Sequence, residues 1–193
     1  MIARIEGNII EKTPAYVIVD CNGVGYQLNV SLHTYSAIPD SGHCVLHTQH
    51  IVREDAHLLY GFADRSEKNM FNMLISVSGV GATSANMILS ALSPEEVEEA
   101  IVHGDVGALK GVKGIGNKTA ERIIVDLRDK LSREGLTDIS SGSGNSLRNE
   151  ALSALIMLGY NKAVAEKSLS KVMKDKSDLS SAEQLVKAVL KGE

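Results

Sequence analysis

One short element occurs twice in this chain, and the repeat limits what the chain can fold into. Leu74–Gly81 and Leu109–Gly116 each end in glycine, an aliphatic residue and glycine, and 35 residues separate the two copies. In both copies an alanine stands four residues after the last glycine, and an isoleucine stands three residues further on. A single Gly-x-Gly is weak evidence, whereas a duplicate with matching flanks indicates a repeated structural unit.

The two glycines of each copy predict a sharp turn between two helices. Glycine adopts positive φ without steric cost, and the aliphatic residue between the glycines, Val80 or Ile115, can fill the groove between the helices. Such a turn directs backbone N–H groups outward at the start of a helix, where the helix dipole is positive. Amides of this kind bind phosphate oxygens and contact no base, so we expect DNA binding that is independent of sequence.

The second copy is rich in cations, although the chain as a whole is acidic. The net charge of -4 excludes a protein that is basic over its whole surface. Between residues 110 and 130, however, six basic residues outnumber three acidic ones, and Lys118 and Arg122 lie one helical turn apart just after the glycines. The predicted DNA-binding residues are Gly79, Val80, Gly81, Gly114, Ile115, Gly116, Asn117, Lys118, Thr119 and Arg122.

The residues before the repeat have the alternating pattern of β-strands. Tyr26, Leu28 and Val30 alternate with polar residues, and short apolar runs at 16–19 and 58–62 are bounded by turn sequences. About five strands in roughly 60 residues favour a small closed barrel over an open sheet, because closure leaves no exposed edge.

From Ser66 onward the apolar spacing becomes helical. Ser93 begins a capping box with a proline in the first turn, and a longer amphipathic helix is predicted to end near Ser132. The polar segment 137–146 cannot bury enough apolar surface to fold, so we predict a flexible linker there. About three short helices follow, and Gly159 is expected to end the first. The predicted domains are therefore 1–63, 64–136 and 147–193, with the linker between the last two.

These motifs identify the repeat as a tandem helix-hairpin-helix, and the chain over its whole length resembles the RuvA family, the junction-binding subunits of bacterial RuvAB branch-migration complexes. The resemblance implies an α+β multi-domain fold with an N-terminal β-barrel (OB-fold), a central all-α tandem helix-hairpin-helix domain and a C-terminal three-helix UBA-like bundle. Relatives often carry a lysine just after the first hairpin, where this chain has Ala82 and Thr83. The residues that carry the resemblance are Met1–Ile5, Gly7, Gly23–Tyr26, Val52–Ala56, Leu59–Phe62, Gly114–Arg122 and Leu158–Tyr160.

The resemblance also implies a function without catalysis by this chain. Members of the family bind four-way (Holliday) junctions as homotetramers, one or two per junction, and stimulate the hexameric ATPase RuvB in recombination and repair; the RuvC resolvase is a further implied partner. Glu54 and Asp55 match the acidic pin at the junction centre, and Leu155, Leu158 and Tyr160 are the candidates for contact with RuvB. From the residues alone, the two carboxylates are more simply solvated turn residues and Leu155 is more simply a core residue.

Two apparent enzyme motifs are weak. Gly111–Thr119 nearly matches a P-loop, but Asn117 stands where that loop needs glycine, and no hydrophobic strand precedes it. Cys44, His47 and His50 have a spacing suggestive of a metal site, but on a strand His47 points away from the other two. We therefore expect no ATP hydrolysis, no metal site and no cofactor. The remaining histidines, His33, His43, His57 and His103, have no evident partner in the sequence.

An enzyme of another class stays open as the alternative, namely a helix-hairpin-helix glycosylase or structure-specific nuclease. A glycosylase needs a base pocket and a catalytic acid beyond the hairpins, and a nuclease needs clustered carboxylates for metal. The glutamates between 95 and 99 are clustered, but they span several faces of a helix.

Location is predicted from what the sequence lacks. No stretch approaches the roughly 18 consecutive apolar residues that a membrane span needs, and two cysteines are too few for a disulfide framework. These features favour a cytoplasmic protein without a membrane partner.

Overall fold

Five strands close into a barrel at the start of the computed structural model, which describes residues 1–138, 143–175 and 181–191. The barrel order is β1-β2-β3-β5-β4, and β1 closes the ring by pairing with both β2 and β4. Neighbouring strands are antiparallel except β3 and β5, which are parallel. The predicted closed barrel is confirmed. Its strands are β1 (Arg4–Lys12), β2 (Tyr16–Cys21), β3 (Val24–Val30), β4 (Gly42–Val52) and β5 (His57–Phe62), with helix α1 (Leu32–Ala37) between β3 and β4.

Alternating side chains fill the barrel and leave little space between its strands. Val17, Leu28 and Leu46 are fully buried in its core. At Gly7 a Cβ would lie 2.1 Å from the carbonyl oxygen of Asp20, so a larger residue there would force the strands apart. The close approach explains why a strand that must pair on both sides carries glycine at this point.

The helices that follow share one core with the end of the barrel. Phe71 stacks on Tyr60 and Phe62 of β5, with ring centres 4.9 and 5.0 Å apart, and all three belong to one buried cluster with the helical residues. The barrel and these helices accordingly form one compact unit, residues 1–132. The helices are α2 (Arg65–Ile75), α3 (Ala82–Ala91), α4 (Pro94–His103), α5 (Val106–Lys110) and α6 (Asn117–Asp138), of which residues 117–132 belong to this unit.

Helix α6 is longer than the sequence pattern predicts. It continues to Asp138, so the predicted end near Ser132 is wrong. No proline interrupts the segment after Ser132, and the single glycine at 135 weakens a helix by only about 1 kcal/mol without ending it.

A second compact unit, residues 133–193, contains a small helical bundle. Its helices are α7 (Ser143–Met157), α8 (Lys162–Asp175) and α9 (Ala182–Leu190). As predicted, Gly159 ends α7: it has φ of 95°, and the amide of Tyr160 donates to the carbonyl of Leu155 at 3.0 Å. Of the predicted linker, residues 137–138 and 143–146 are helical and residues 139–142 lie outside the described part, so the linker and the domain boundaries stay predictions.

A buried carboxylate ties the barrel to the first hairpin helix. Glu67 of α2 has no exposed surface, and its two oxygens accept hydrogen bonds from the hydroxyls of Ser31 and Thr34 at the start of α1. Thr34 in turn accepts a hydrogen bond from the amide of Ala63 at 2.9 Å. Burial raises the pKa of Glu67 above its ordinary value, although the two hydroxyl hydrogen bonds oppose that shift.

We predict that this glutamate makes stability depend on pH in a defined direction. A carboxyl whose pKa is higher in the folded than in the unfolded chain stabilises the fold at low pH, and this contribution is lost as pH rises through the folded pKa. Glu67→Gln lacks this titration, so wild type should lose stability relative to Glu67→Gln as pH rises above 4.5, the ordinary value. Urea unfolding of both proteins across that range measures the difference, and a difference that does not change with pH would contradict the prediction.

Candidate nucleic-acid interface

The first glycine element forms a tight hairpin between α2 and α3. The amide of Val77 donates to the carbonyl of Leu74 at 3.1 Å, and the amide of Val80 donates to the carbonyl of Val77 at 3.0 Å. Gly79 has φ of 92°, a conformation that other residues rarely adopt, so the turn requires glycine there.

The second glycine element repeats this geometry between α5 and α6. The amides of Val112 and Ile115 donate to the carbonyls of Leu109 and Val112 at 3.2 and 3.1 Å, and Gly114 has φ of 90°. Val80 and Ile115 are both buried in the same core cluster. They therefore hold the turns in place. Because their side chains are apolar and buried, only their backbone atoms remain as possible contacts for a ligand.

Glycine leaves the first amides of α3 and α6 without a capping side chain. Helix α3 begins after Gly81 and has no side-chain hydrogen bond at its cap, and the amide of Ala85 donates to Gly81 at 2.9 Å. Gly116 holds the matching place before α6, where the amide of Ala120 donates to it at 3.0 Å. By contrast, α1, α2, α4, α5 and α9 are capped by side chains, those of Ser31, Asp64, Ser93, Asp105 and Ser181.

The absence of a cap matters because the first amides of a helix have no acceptor within it. An anion can supply that acceptor, and the positive end of the helix dipole favours it. Helices α3 and α6 keep such amides available. A Cβ added at Gly81 or Gly116 would have no atom within 4 Å, so the space beside these amides is open. The two hairpins are thus suited to bind phosphate.

Cations surround the second hairpin. Lys110, Lys113 and Lys118 are exposed and form no ion pair with any described residue. Arg122 lies 3.5 Å from Asp126 in an exposed pair that phosphate could replace, and Asn117 donates its side-chain amide to Glu121. The lysines are therefore available for a polyanion.

Two further cations of α6 have other partners. Arg128 donates to the carbonyls of Ile101 and Val102, at 3.4 and 3.0 Å, and so satisfies the end of α4. Lys130 donates to the hydroxyl of Ser76 at 2.9 Å. Both are among the six basic residues between 110 and 130, and in the structure they join α6 to α4 and to the first hairpin.

The two hairpins differ in charge at one equivalent position. Thr83 of the first hairpin corresponds to Lys118 of the second, since each stands two residues after the last glycine, and both side chains are exposed. The preceding residue of the first hairpin, Ala82, is buried. The first hairpin therefore offers phosphate its backbone, whereas the second offers backbone and lysine.

The predicted pin residues lie at the tip of the β4–β5 hairpin. Glu54 and Asp55 are exposed in a turn closed by a hydrogen bond of 2.8 Å from the amide of Arg53 to the carbonyl of Ala56. Neither carboxylate has an ion pair with a described residue.

The three candidates in the C-terminal bundle differ in exposure. Leu155 is 0% exposed in the bundle core, so its side chain offers no surface in the folded bundle, and its role in binding a partner stays a prediction. Leu158 is 59% exposed, and Tyr160 is partly exposed. Met157, which the sequence pattern did not single out, is 89% exposed beside them. Apolar character at the end of a helix was the available signal, but periodicity alone does not show which apolar residues stay outside.

The structure does not support the enzyme motifs. The P-loop-like segment follows the five-residue helix α5 instead of a strand. Burial of Cys44 in the barrel raises the pKa of its thiol, which disfavours the thiolate that binds metal. Glu96 of the acidic helix α4 accepts from the amide of Ser93 and completes a capping box.

Among the described residues, the side chains of His33, Asp64 and Glu67 lie close together, and the atoms that could bind a metal are all within 4.8 Å of one another. Both oxygens of Glu67 already accept hydroxyl hydrogen bonds, and Asp64 caps α2. These contacts give the cluster a structural role. In the described ranges no helix combines the length and apolar character needed to cross a bilayer.

Comparison with known proteins finds similarity along nearly the whole chain. Family models match residues 1–61 (RuvA N terminal domain), 71–129 (SAM-like Helix-hairpin-helix tandem) and 146–192 (RuvA, C-terminal domain). Curated proteins called Holliday junction branch migration complex subunit RuvA are 48% identical in Christiangramia forsetii, 47% in Cytophaga hutchinsonii and 46% in Flavobacterium psychrophilum. Each of these alignments covers 99% of this chain and 99% of the relative.

We predict that a carboxylate at the helix starts strongly weakens DNA binding without harming the fold. In the double variant Gly81→Asp/Gly116→Asp the new carboxylates would accept from the free amides and repel phosphate, and we expect binding to weaken about 100-fold. Gly81→Ala/Gly116→Ala is the matched control, because it fills the same open positions without charge. Gel shifts at fixed salt measure the binding.

Melting temperatures distinguish this effect from misfolding. Aspartate caps a helix better than alanine, so the aspartate variant should melt no lower than the alanine control. Equal DNA affinity of the two variants would show that the amides do not contact phosphate.

Proposed function

The chain belongs to the RuvA family, and on that premise we propose that it is the subunit of a branch-migration complex that binds four-way (Holliday) DNA junctions. The observation that supports this best is the pair of uncapped helix starts, α3 and α6, on two equivalent hairpins of one compact unit. Backbone amides contact the phosphates of any sequence, so recognition depends on the path of the backbone and not on its bases. In this proposal the chain acts in recombination and repair, and ATP hydrolysis belongs to its partner.

Two hairpins on one rigid core suit a partner of fixed shape. Val80 and Ile115 anchor both turns in a single buried cluster, so the two phosphate sites keep a constant separation. Lys113 and Lys118 add charge that attracts any duplex, and this contribution falls as salt rises. Specificity for a junction then requires that several copies of the chain hold several DNA arms at once.

We accordingly propose a homotetramer, with one or two tetramers on each junction, assembled through the barrel. Ile10 and Val24 on the outside of the barrel are 64% and 53% exposed. A Cβ at Gly25 would lie 3.8 and 3.5 Å from the side chains of Ile10 and Ile18, in ordinary van der Waals contact, so the residue next to Val24 lies beside Ile10. Exposed aliphatic residues that lie close together are typical of a surface that another subunit covers.

The acidic hairpin tip would set the preference for a junction. Ile51 and Leu58 pack against the helical core on one side of the β4–β5 hairpin, which fixes the direction of the tip that carries Glu54 and Asp55. In a tetramer the four tips would bring about eight carboxylates together, and such a cluster repels phosphate. Continuous duplex is then disfavoured at the centre, whereas the open crossover of a junction is accommodated.

The C-terminal bundle would bind the hexameric RuvB motor. Leu158 and Tyr160 lie where α7 ends, and the neighbouring Met157 and Val164 are also exposed. We assign the contact with RuvB to this apolar patch of Met157, Leu158, Tyr160 and Val164, with Leu155 supporting it from the core. RuvC is the further partner proposed for the assembled complex.

The proposal predicts that neutralising the tip narrows the preference for junctions. Glu54→Gln/Asp55→Asn removes the repulsion but no phosphate contact, so duplex binding should strengthen several-fold while junction binding changes little. Gel shifts with a four-way junction and a linear duplex of equal length, at matched salt, measure the ratio of the two affinities.

The same assay tests the proposed function itself. With Mg²⁺ present, wild type should retain the junction uncut, because the proposal gives the chain no catalytic role. Cleavage would favour the nuclease alternative, and equal affinity of wild type for junction and duplex would refute structure-specific binding.

We further predict that the apolar patch is needed for the motor and not for DNA. Leu158→Ser should reduce stimulation of RuvB ATPase activity on junction DNA by about tenfold, since loss of an exposed apolar anchor costs of the order of 1 to 2 kcal/mol of binding free energy. Removal of residues after Ser146 should abolish the stimulation. Loss of junction binding in either variant would contradict this division of roles.

A further inference from the structure

Two histidines lie side by side at the base of the β4–β5 hairpin. His50 of β4 and His57 of β5 have ring centres 5.4 Å apart. In the strand register His50 is opposite Leu59 and Val52 is opposite His57, so the two rings are diagonal neighbours on the same side of the hairpin. Seven positions separate them in the sequence, and the turn brings them together.

Neither ring has a polar partner. Among the described residues, His33 lies near Asp64, His43 lies 3.2 Å from Glu6 and His103 contacts the carbonyl of Glu99. The rings of His50 and His57 make no hydrogen bond or ion pair with any described residue, and each has the other as its aromatic neighbour. Their nitrogens are therefore available to a ligand that accepts two imidazoles.

The spacing of the rings fits a shared metal ion. Two imidazoles bound to one tetrahedral ion, with metal–nitrogen bonds of about 2.0 Å, have ring centres roughly 5 Å apart. The observed separation of 5.4 Å is close to this distance. Imidazole nitrogen suits zinc, nickel and copper, whereas magnesium prefers oxygen ligands.

The hairpin holds the two histidines in place before any ion binds. The opposite side of the hairpin carries Ile51 and Leu58, which pack against the helical core, and the turn is closed by the hydrogen bond from Arg53 to Ala56. A preorganised pair loses less entropy on binding. Glu54 and Asp55 are exposed at the tip a few residues away, and their charge raises the local concentration of cations.

We propose that His50 and His57 form a binding site for a zinc-class transition-metal ion on the β4–β5 hairpin, with water completing the coordination. The site belongs to the free chain and does not depend on the proposed function.

Titration of the untagged full-length chain with Zn²⁺ tests this site. We expect His50→Gln and His57→Gln each to weaken zinc binding about tenfold or more, since even the loss of a group that only orients a ligand costs 10- to 100-fold. His103→Gln is the matched control, because that histidine is exposed and lies on α4, and this variant should bind zinc as wild type does. Excess Mg²⁺ should not displace the zinc.

Site-specific and folding readouts complete the test. In NMR spectra the imidazole signals of His50 and His57 should shift together as zinc is added, and the melting temperatures of both variants should match wild type. The proposal is overturned if zinc binding is the same in wild type, His50→Gln and His57→Gln, if those two signals do not move, or if Mg²⁺ displaces the zinc and so shows binding by carboxylates alone.

Discussion

The proposed function depends on hydrogen bonds that the folded chain does not make itself, namely those of the first backbone amides of α3 and α6. A helix start normally receives a side-chain acceptor, as α1, α2, α4, α5 and α9 do, whereas Gly81 leaves α3 without any. Gly116 stands at the same place before α6. A serine or aspartate at either position would stabilise its helix and occupy the amides. The chain thus forgoes two helix caps, and the same amides become the means of binding phosphate.

Free amides can recognise the path of a DNA backbone only if they are held at fixed positions. The core that the two hairpins share holds them there. Val80 and Ile115 close the two turns from inside one cluster, and Phe71 joins that cluster to β5 of the barrel. Glu67 adds a polar connection between α2 and α1, at the cost of burying a carboxylate whose pKa is raised. These contacts make barrel and hairpins one unit, so a surface assembled through the barrel would also set the spacing of the phosphate sites.

Local patterns predicted most of the fold, because strands, capping boxes and glycine turns depend on nearby residues. The closed barrel, the two hairpins and the end of α7 at Gly159 were all predictable in this way. Contacts between residues that are far apart in the sequence were not predictable from local patterns. Arg128 is one of the six basic residues between 110 and 130, and nothing in the sequence showed that it binds the end of α4. His57 had no evident partner, because the strand register and not the spacing in sequence places it beside His50.

The two hairpins differ more in charge than in geometry. Their hydrogen bonds and φ angles agree closely, yet Thr83 stands where the second hairpin has Lys118. Backbone amides give a contact that depends on position and little on salt, whereas a free lysine attracts phosphate over distance and releases counterions. The second hairpin is therefore suited to attract DNA, and the first hairpin is suited to fix the position of the bound DNA backbone. A chain that binds by shape gains from this division, since a strong charge at both hairpins would raise affinity for every duplex and lower the preference for a junction.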